Sequence, residues 1–187
     1  MSKQFVVTPA GMKKAEAMCE EKGTSCAVLM RNVGSAVALH ISRIAKPCRT
    51  AVLVGSGNNG GDGFALAHNL RKRGFTPVII MTGSAPKTDL AKECYEEYRT
   101  DYENVLSYPD EPEKVLSEIA SCGVIADCVY GTGFHGELHP DIRRLFSYCN
   151  ESAALRFSAD IASGCNANDG SADKYSFRAD MTFALGA

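Results

Sequence analysis

The 187-residue sequence has no long apolar run and no large excess of charge of either sign. A run of about 18 apolar residues predicts a membrane-spanning helix, and none is present, so no membrane protein is expected. The formal net charge of −2 does not predict the basic surface of a protein that binds nucleic acid. The first residues also lack the features of a signal peptide, which predicts a cytoplasmic location.

The eight cysteines and four histidines lack the spacing of a zinc site. No Cys-x-x-Cys pair occurs, so the cysteines are expected to be reduced, small side chains. His135 and His139 are four residues apart, as are some metal ligands on helices. Gly136 and Pro140 break the local helix, however, so a structural role is favoured for both histidines.

Two apolar patterns alternate along the chain. Short continuous apolar runs predict strands at residues 50–54, 76–81, 104–107, 124–129, 155–160 and 180–184. Helical spacing predicts helices at residues 9–21, 25–45, 62–73, 87–102, 111–121 and 138–149. This alternation predicts an α/β fold, with a three-layer, doubly wound, Rossmann-like and mostly parallel sheet that carries helices on both faces. No linker or repeat interrupts the pattern, so residues 1–187 are expected to form a single domain.

A glycine-rich segment at residues 55–63 follows the first predicted strand and leads into a helix. Backbone N–H groups at such a helix start favour an anion such as phosphate. The segment matches the G-x-G-x-x-G pattern, but the dinucleotide fingerprint also needs an acidic residue after the second strand. That strand ends in Met-Thr-Gly-Ser at residues 81–84, so an ordinary NAD-dependent dehydrogenase is disfavoured.

Two later predicted strands end in an aspartate, Asp127 and Asp160, and each is followed by a glycine-containing loop. Both lie at the carboxyl ends of strands, where sheets of this class bind ligands. With Asn59 and Ser163 they would form an all-oxygen cluster that suits a monovalent or divalent hard cation. The structural alternatives are a turn capped by Asp127 and an Asx turn at Asp160.

Four segments carry a more specific pattern. They are Leu-Met-Arg-Asn-Val-Gly at 29–34, Gly-Asn-Asn-Gly-Gly-Asp-Gly at 57–63, Asp-Cys-Val-Tyr-Gly-Thr-Gly at 127–133 and Asp-Ile-Ala-Ser-Gly at 160–164. In this order they resemble the motifs of the YjeF N-terminal domain family, the NAD(P)H-hydrate epimerases. The resemblance covers nearly the whole chain. It implies an isomerase that interconverts the R and S epimers of NADHX and NADPHX, the hydrated forms of the reduced nicotinamide cofactors.

The resemblance also implies the site residues. Asp160 would be catalytic, because one carboxylate that cycles its proton can assist both departure of the hydroxyl and return of water. A potassium ion would be bound by Asn59, Asp127 and Ser163. The substrate would contact Asp160 together with Asn58, Asn59, Gly60, Gly61, Asp62, Gly131, Thr132, Gly133, Phe134, His135, Gly136 and Glu137.

The sequence departs from the family pattern at three places. Arg31 stands where the family has a glutamate, and Ala162 replaces a proline. The sequence also stops before a Gly-Ala-Pro-Lys stretch of the family, which predicts a chain shortened at its C-terminus. The resemblance favours a homodimer and a dehydratase as a further domain or partner. The alternative is a non-catalytic nucleotide- or protein-binding module of the same fold.

Overall fold

The computed structural model describes residues 8–101 and 104–185. The helices are α1 (Pro9–Glu21), α2 (Cys26–Ile44), α3 (Asn58–Lys72), α4 (Asp89–Asp101), α5 (Pro112–Ala120) and α6 (Pro140–Glu151). The strands are β1 (Arg49–Val54), β2 (Thr76–Met81), β3 (Val105–Ser107), β4 (Val124–Cys128), β5 (Leu155–Ala159) and β6 (Met181–Phe183). The predicted end of the fourth helix at Tyr102 and the C-terminal residues 186–187 lie outside the described residues.

The six strands form one sheet in the order β3-β2-β1-β4-β5-β6, and every pair of neighbours is parallel. The strand order runs one way from β1 to β3 and the other way from β4 to β6. Chain crossovers therefore leave a crevice beyond the carboxyl ends of β1 and β4, where sheets of this class bind ligands. The predicted doubly wound parallel sheet is confirmed.

The strands are covered on both faces because successive side chains along a strand point to opposite sides. Val52 and Ala126 pack into a core shared with α2, α3 and α4. Leu53 and Ile125 face the other side, where α5 and α6 cover them. This explains why the strands appear in the sequence as continuous apolar runs rather than as alternating patterns. No helix within 8–101 or 104–185 is long and apolar enough to cross a membrane.

The predicted start of α3 at residue 62 was wrong, since the helix begins four residues earlier. Gly57 is the extended N-cap, and the glycines that follow it form the first helical turn. These glycines are needed because the first turn of the helix packs closely against its neighbours, and not because the chain forms a loop there. A Cβ atom on Gly60 would lie 2.0 Å from the carbonyl oxygen of Gly55, and one on Gly61 would lie 2.6 Å from the sulfur of Met30.

Candidate functional site

The crevice between β1 and β4 is narrow because the segments that follow these two strands contact each other at the edge of the sheet. The N–H group of Gly55 donates a hydrogen bond to the carbonyl oxygen of Cys128 at 3.2 Å. A Cβ atom on Gly55 would lie 2.0 Å from the carbonyl oxygen of Val129. Glycine at position 55 therefore lets the turn before α3 reach the loop after β4, and the motif residues of both come to one place.

The N-terminus of α3 faces this crevice. Its N-cap, Gly57, has no side chain to accept a hydrogen bond from the first N–H groups of the helix. A helix start without a side-chain cap favours an anion, and Asn58 is the exposed residue there. Asp62 lies half-buried one turn further along the helix. The predicted phosphate contact is consistent with this geometry and stays a prediction.

Asn59 is the buried polar residue of this turn, with 8% of its surface exposed. Its side-chain oxygen and nitrogen have no hydrogen-bond partner among the residues that the structure describes. Leaving such groups unpaired costs about 1–3 kcal/mol, so the amide indicates a polar ligand or ion at this position. A Cβ atom on Gly131 would lie 3.6 Å from the Cβ of Asn59 and 2.5 Å from Oδ2 of Asp160. The structure therefore brings Asn59, Gly131 and Asp160 together.

Asp160 follows β5 and has a φ of 68°, in the left-handed region that favours glycine. Its backbone N–H donates to the carbonyl oxygen of Phe183 at 2.9 Å. Its Oδ2 accepts a hydrogen bond from the N–H of Thr132 at 2.8 Å. Burial raises the pKa of this half-buried carboxyl, and hydrogen bonds from the backbone and side chain of Thr132 oppose that rise only in part. A carboxyl of this kind retains its proton at a higher pH than an exposed one.

Asp127 lies on β4 and is fully buried. Its Oδ1 accepts hydrogen bonds from the hydroxyl of Ser163 at 2.6 Å and from the N–H of Val129 at 3.2 Å. Its Oδ2 accepts from the N–H of Ser163 at 2.8 Å and from the hydroxyl of Ser158 at 3.0 Å. Burial raises the pKa of Asp127 to about 6, although these four hydrogen bonds lower it. All four donors are neutral, so the ionised carboxylate lacks a cation among them.

The chemical types of the predicted ligands suit a hard monovalent cation. The unpaired oxygen of Asn59 and the carboxylate of Asp127 are ligands that potassium accepts. The hydroxyl of Ser163 already donates to Asp127 and accepts from the N–H of Tyr130 at 2.8 Å, so it would act as a weaker ligand. Within 8–101 and 104–185, no group of three or more His, Cys, Asp or Glu residues has the arrangement of a metal site. The predicted potassium site stays a prediction.

The loop between β4 and α6 contains the remaining predicted substrate contacts. Phe134 packs against Tyr130, with 5.0 Å between the ring centroids. His135 is exposed, and its Nδ1 lies 3.0 Å from the carbonyl oxygen of Gly133. Gly136 has a φ of 85°, where a side chain would be strained. These residues follow Thr132 in one continuous loop, and we call residues 131–138 the rim of the crevice.

Glu137 and Arg143 line a cavity of about 480 Å³ that this loop borders. The cavity combines the predicted Phe134, Gly136 and Glu137 with Arg143, Gly164, Asn166, Ser171, Ala172, Asp173 and Lys174. Asn59 and Asp160 are not among its lining residues, so the deeper part of the predicted site is a separate crevice. Arg143, Asn166 and residues 171–174 were missed by the sequence reasoning, because they lie outside the four motifs.

Arg31 is placed away from the crevice by its own contacts. Its guanidinium on α2 pairs with Glu93 and Glu97 of α4, and these hydrogen bonds raise its pKa above the ordinary value. The charge reversal relative to the family is thereby matched by acidic partners within the chain. Nothing in the structure explains the alanine at position 162.

Comparison with known proteins gives a consistent result. A family model described as YjeF-related protein N-terminus matches residues 26–187. The bifunctional NAD(P)H-hydrate repair enzyme Nnr of Thermofilum pendens is 34% identical over 170 residues, which cover 89% of this chain and 32% of the relative. The NAD(P)H-hydrate epimerase of Pirellula staleyi is 29% identical over 161 residues, which cover 83% of this chain and 70% of the relative.

A solved structure shares the fold. The crystal structure of the yeast protein ynu0 superposes with a TM-score of 0.77 at 19% identity, over 97% of this chain and 80% of the yeast chain. At that identity the likeness shows the fold alone. The chain spans about a third of the length of the bifunctional relatives, 32% in one case and 35% in another.

Proposed function

The chain belongs to the family of YjeF-related protein N-terminal domains, and from this premise we propose that it interconverts the R and S epimers of NADHX and NADPHX. The names of its relatives, an epimerase and bifunctional repair enzymes for NAD(P)H-hydrate, support this activity. A dehydratase domain or partner would consume the S epimer. A homodimer is expected from the family resemblance and stays a prediction.

The observation that carries the proposal is the position of Asp160. Its half-buried carboxyl has a raised pKa and lies beside Gly131 and Asn59 at the carboxyl rim of the sheet. A group that exchanges a proton with a ligand must lie within hydrogen-bond reach of it and have a pKa near the working pH. Oδ2 already accepts from Thr132, so Oδ1 is the atom that we assign to the substrate.

The proposed reaction needs one group that first donates a proton and later accepts one. Protonated Asp160 gives its proton to the hydroxyl on the carbon next to the ring nitrogen, and the carbon–oxygen bond breaks. The nitrogen lone pair forms an iminium as water departs. Water then adds to the opposite face of that carbon and returns a proton to Asp160. No atoms or protons are gained or lost, and the only change is the configuration of the carbon.

We also propose that Asn59, Asp127 and Ser163 hold a potassium ion beneath this site. The ion would compensate the buried charge of Asp127 and pair the amide oxygen of Asn59. The test of this potassium site does not depend on epimerase activity. Replacing choline by potassium should raise the unfolding temperature of the parent, and Asn59→Leu should remove that rise. An equal response of parent and variant would refute the site.

The epimerase test begins from a sample that an S-specific dehydratase has depleted of the S epimer. Adding the chain should restart consumption and carry the remaining R epimer to completion faster than spontaneous epimerisation in buffer. A reaction that stays at the buffer rate would refute the proposed function. It would favour the alternative of a non-catalytic binding module.

Two variants test whether Asp160 is the group that transfers the proton. Asp160→Asn should lower the epimerisation rate by about 100-fold or more, because general acid–base catalysis contributes factors of that size. Asparagine tolerates a positive φ and can still accept from Thr132, so the fold should survive. The matched control is Asp169→Asn, which changes an exposed aspartate that accepts hydrogen bonds from the N–H and hydroxyl of Ser171 in its own turn. Equal rates for Asp160→Asn and the control would show that another group transfers the proton.

A further inference from the structure

Asp173 lies outside every predicted motif, yet its side chain is only 4% exposed. Its Oδ2 accepts hydrogen bonds from the N–H of Leu138 at 3.1 Å and from the guanidinium of Arg143 at 2.9 Å. Its Oδ1 accepts from the N–H of Tyr175 at 2.9 Å. Burial would raise the pKa of this carboxyl, but the three hydrogen bonds outweigh it and the pKa lies below its ordinary value. Asp173 is therefore ionised at neutral pH.

Arg143 connects Asp173 with Glu137, which lies in the rim of the crevice. The same guanidinium nitrogen that binds Asp173 also donates to Oε2 of Glu137 at 2.7 Å. The guanidinium lies 5.7 Å from the centre of the Tyr175 ring, and the Arg143 side chain is 27% exposed. Glu137 is 84% exposed, and this ion pair with Arg143 links it to Asp173.

The backbone of Asp173 holds the second loop of the site. Its N–H donates to the carbonyl oxygen of Gly164 at 3.0 Å. Gly164 follows Ser163, whose carbonyl oxygen accepts from the N–H of Phe177 at 2.9 Å. A Cβ atom on Gly164 would lie 3.1 Å from Cδ1 of Leu138, so the two loops are in direct contact here. Asp173 thus joins the end of the 131–138 loop to the loop after β5.

We propose that the Asp173–Arg143 pair is a positioning device that holds residues 131–138 against the Ser163 loop and thereby orients the substrate contacts of the rim. The inference rests on the proposed function, because its kinetic consequence is measured on that reaction. Asp173, Arg143 and Glu137 all line the cavity of about 480 Å³. Asp173 itself is a positioning residue and touches no reacting atom.

The variant Asp173→Asn removes the charge that holds Arg143 while keeping an oxygen for one amide donor. We expect KM to rise by about tenfold or more and kcat to fall by a smaller factor, because the rim contacts are displaced while the backbone of Asp160 stays bonded to Phe183 and only its side-chain contact with Thr132 is loosened. Arg143→Lys keeps the charge but loses the guanidinium nitrogen that donates to both carboxylates. It should give a smaller rise in KM than Arg143→Met.

The matched control is Asp180→Asn. Asp180 accepts from the N–H of Arg156 at 2.8 Å and from its guanidinium at 3.0 Å, so it is a second aspartate–arginine pair with a similar pattern. Arg156 lies near the opposite end of β5 from Asp160. The loss of this pair should lower stability without changing KM. Equal KM values for Asp173→Asn, the control and the parent would overturn the proposal.

Amide hydrogen exchange gives a readout that does not require activity. Asp173→Asn should speed exchange across residues 131–138 by about tenfold relative to the parent, while Asp180→Asn should not. If the parent shows no epimerase activity, the proposed function fails and exchange alone decides the positioning role. Unchanged exchange in Asp173→Asn would refute that role, whether or not the parent is active.

Discussion

Replacing Asp127 by asparagine should change how the stability of the protein depends on pH. The carboxyl is fully buried and all four groups that donate hydrogen bonds to it are neutral. Its pKa is raised to about 6 from an ordinary value of 3.8, because burial disfavours the ionised form. Asparagine can keep an oxygen for the N–H of Ser163 and the hydroxyl of Ser158. Its NH₂ group, in the place of Oδ1, cannot accept the hydrogen bonds that come from the N–H of Val129 and the hydroxyl of Ser163.

The sign of this pH dependence follows from which state, folded or unfolded, binds the proton of Asp127 more tightly. Between pH 3.8 and about 6 the folded protein binds more protons at Asp127 than the unfolded chain does. The free energy of unfolding must therefore fall as pH rises through this window and level off above it. One pKa unit corresponds to about 1.4 kcal/mol, so the ionised carboxylate makes the folded state about 3 kcal/mol less stable than an unshifted group would.

Urea unfolding at pH 4 and pH 7, in choline buffer without potassium, measures this effect. The stability of Asp127→Asn relative to the parent should improve by about 2 kcal/mol between the two pH values, less than the full effect because the carboxyl of the unfolded chain is already partly ionised at pH 4. Asp180→Asn provides a control of opposite sign. Hydrogen bonding to the backbone N–H of Arg156 is the largest of the effects that lower the pKa of Asp180, and pairing with the guanidinium adds to it. The parent's advantage over that variant should therefore shrink as pH falls. A stability difference between the parent and Asp127→Asn that is the same at both pH values would refute the reasoning.

Two glycine substitutions test the close approaches in the crevice. Gly60→Ala should lower stability by about 1–3 kcal/mol, because its Cβ would meet the carbonyl oxygen of Gly55, whereas Gly57→Ala should change stability by less than about 1 kcal/mol because its Cβ has open space. Thermal unfolding of both variants checks the contrast, and equal losses would contradict the packing argument. Gly131→Ala should displace the Asp160 carboxylate, since the new Cβ would lie 2.5 Å from Oδ2. We expect the proposed epimerisation rate to fall by about tenfold or more in steady-state assays, and a rate equal to the parent's would contradict this.

The order of helices and strands could be predicted because apolar runs and helical spacing follow directly from burial. Val52 and Leu53 show the reason, since adjacent strand residues are buried on opposite faces and both must be apolar. The start of α3 could not be predicted in this way. Glycine disfavours helices in general, and only the neighbours of Gly60 and Gly61 in space explain why these glycines lie in one.

The residues of the crevice were identifiable from motifs, whereas their interactions were not. Asp127 and Asp160 lie at the ends of neighbouring strands, so their shared rim followed from the topology. The number of donors to Asp127, and the positive φ of Asp160, depend on how the loops return to the sheet. The role of Asp173 was beyond sequence reasoning, because its partners come from α6 and from the loop before it.

The backbone of Asp160 connects stability with the proposed chemistry. An aspartate in the left-handed region costs about 1 kcal/mol relative to glycine, so the fold keeps this conformation only where other contacts outweigh the strain. Hydrogen bonds from Thr132 to the side chain, and from the Asp160 N–H to Phe183, are two such contacts. The same conformation brings Oδ2 close to Gly131, where a side chain would collide with it. The loops after β4 and β5 therefore constrain each other, and the pair formed by Asp173 and Arg143 would hold that arrangement from outside the crevice.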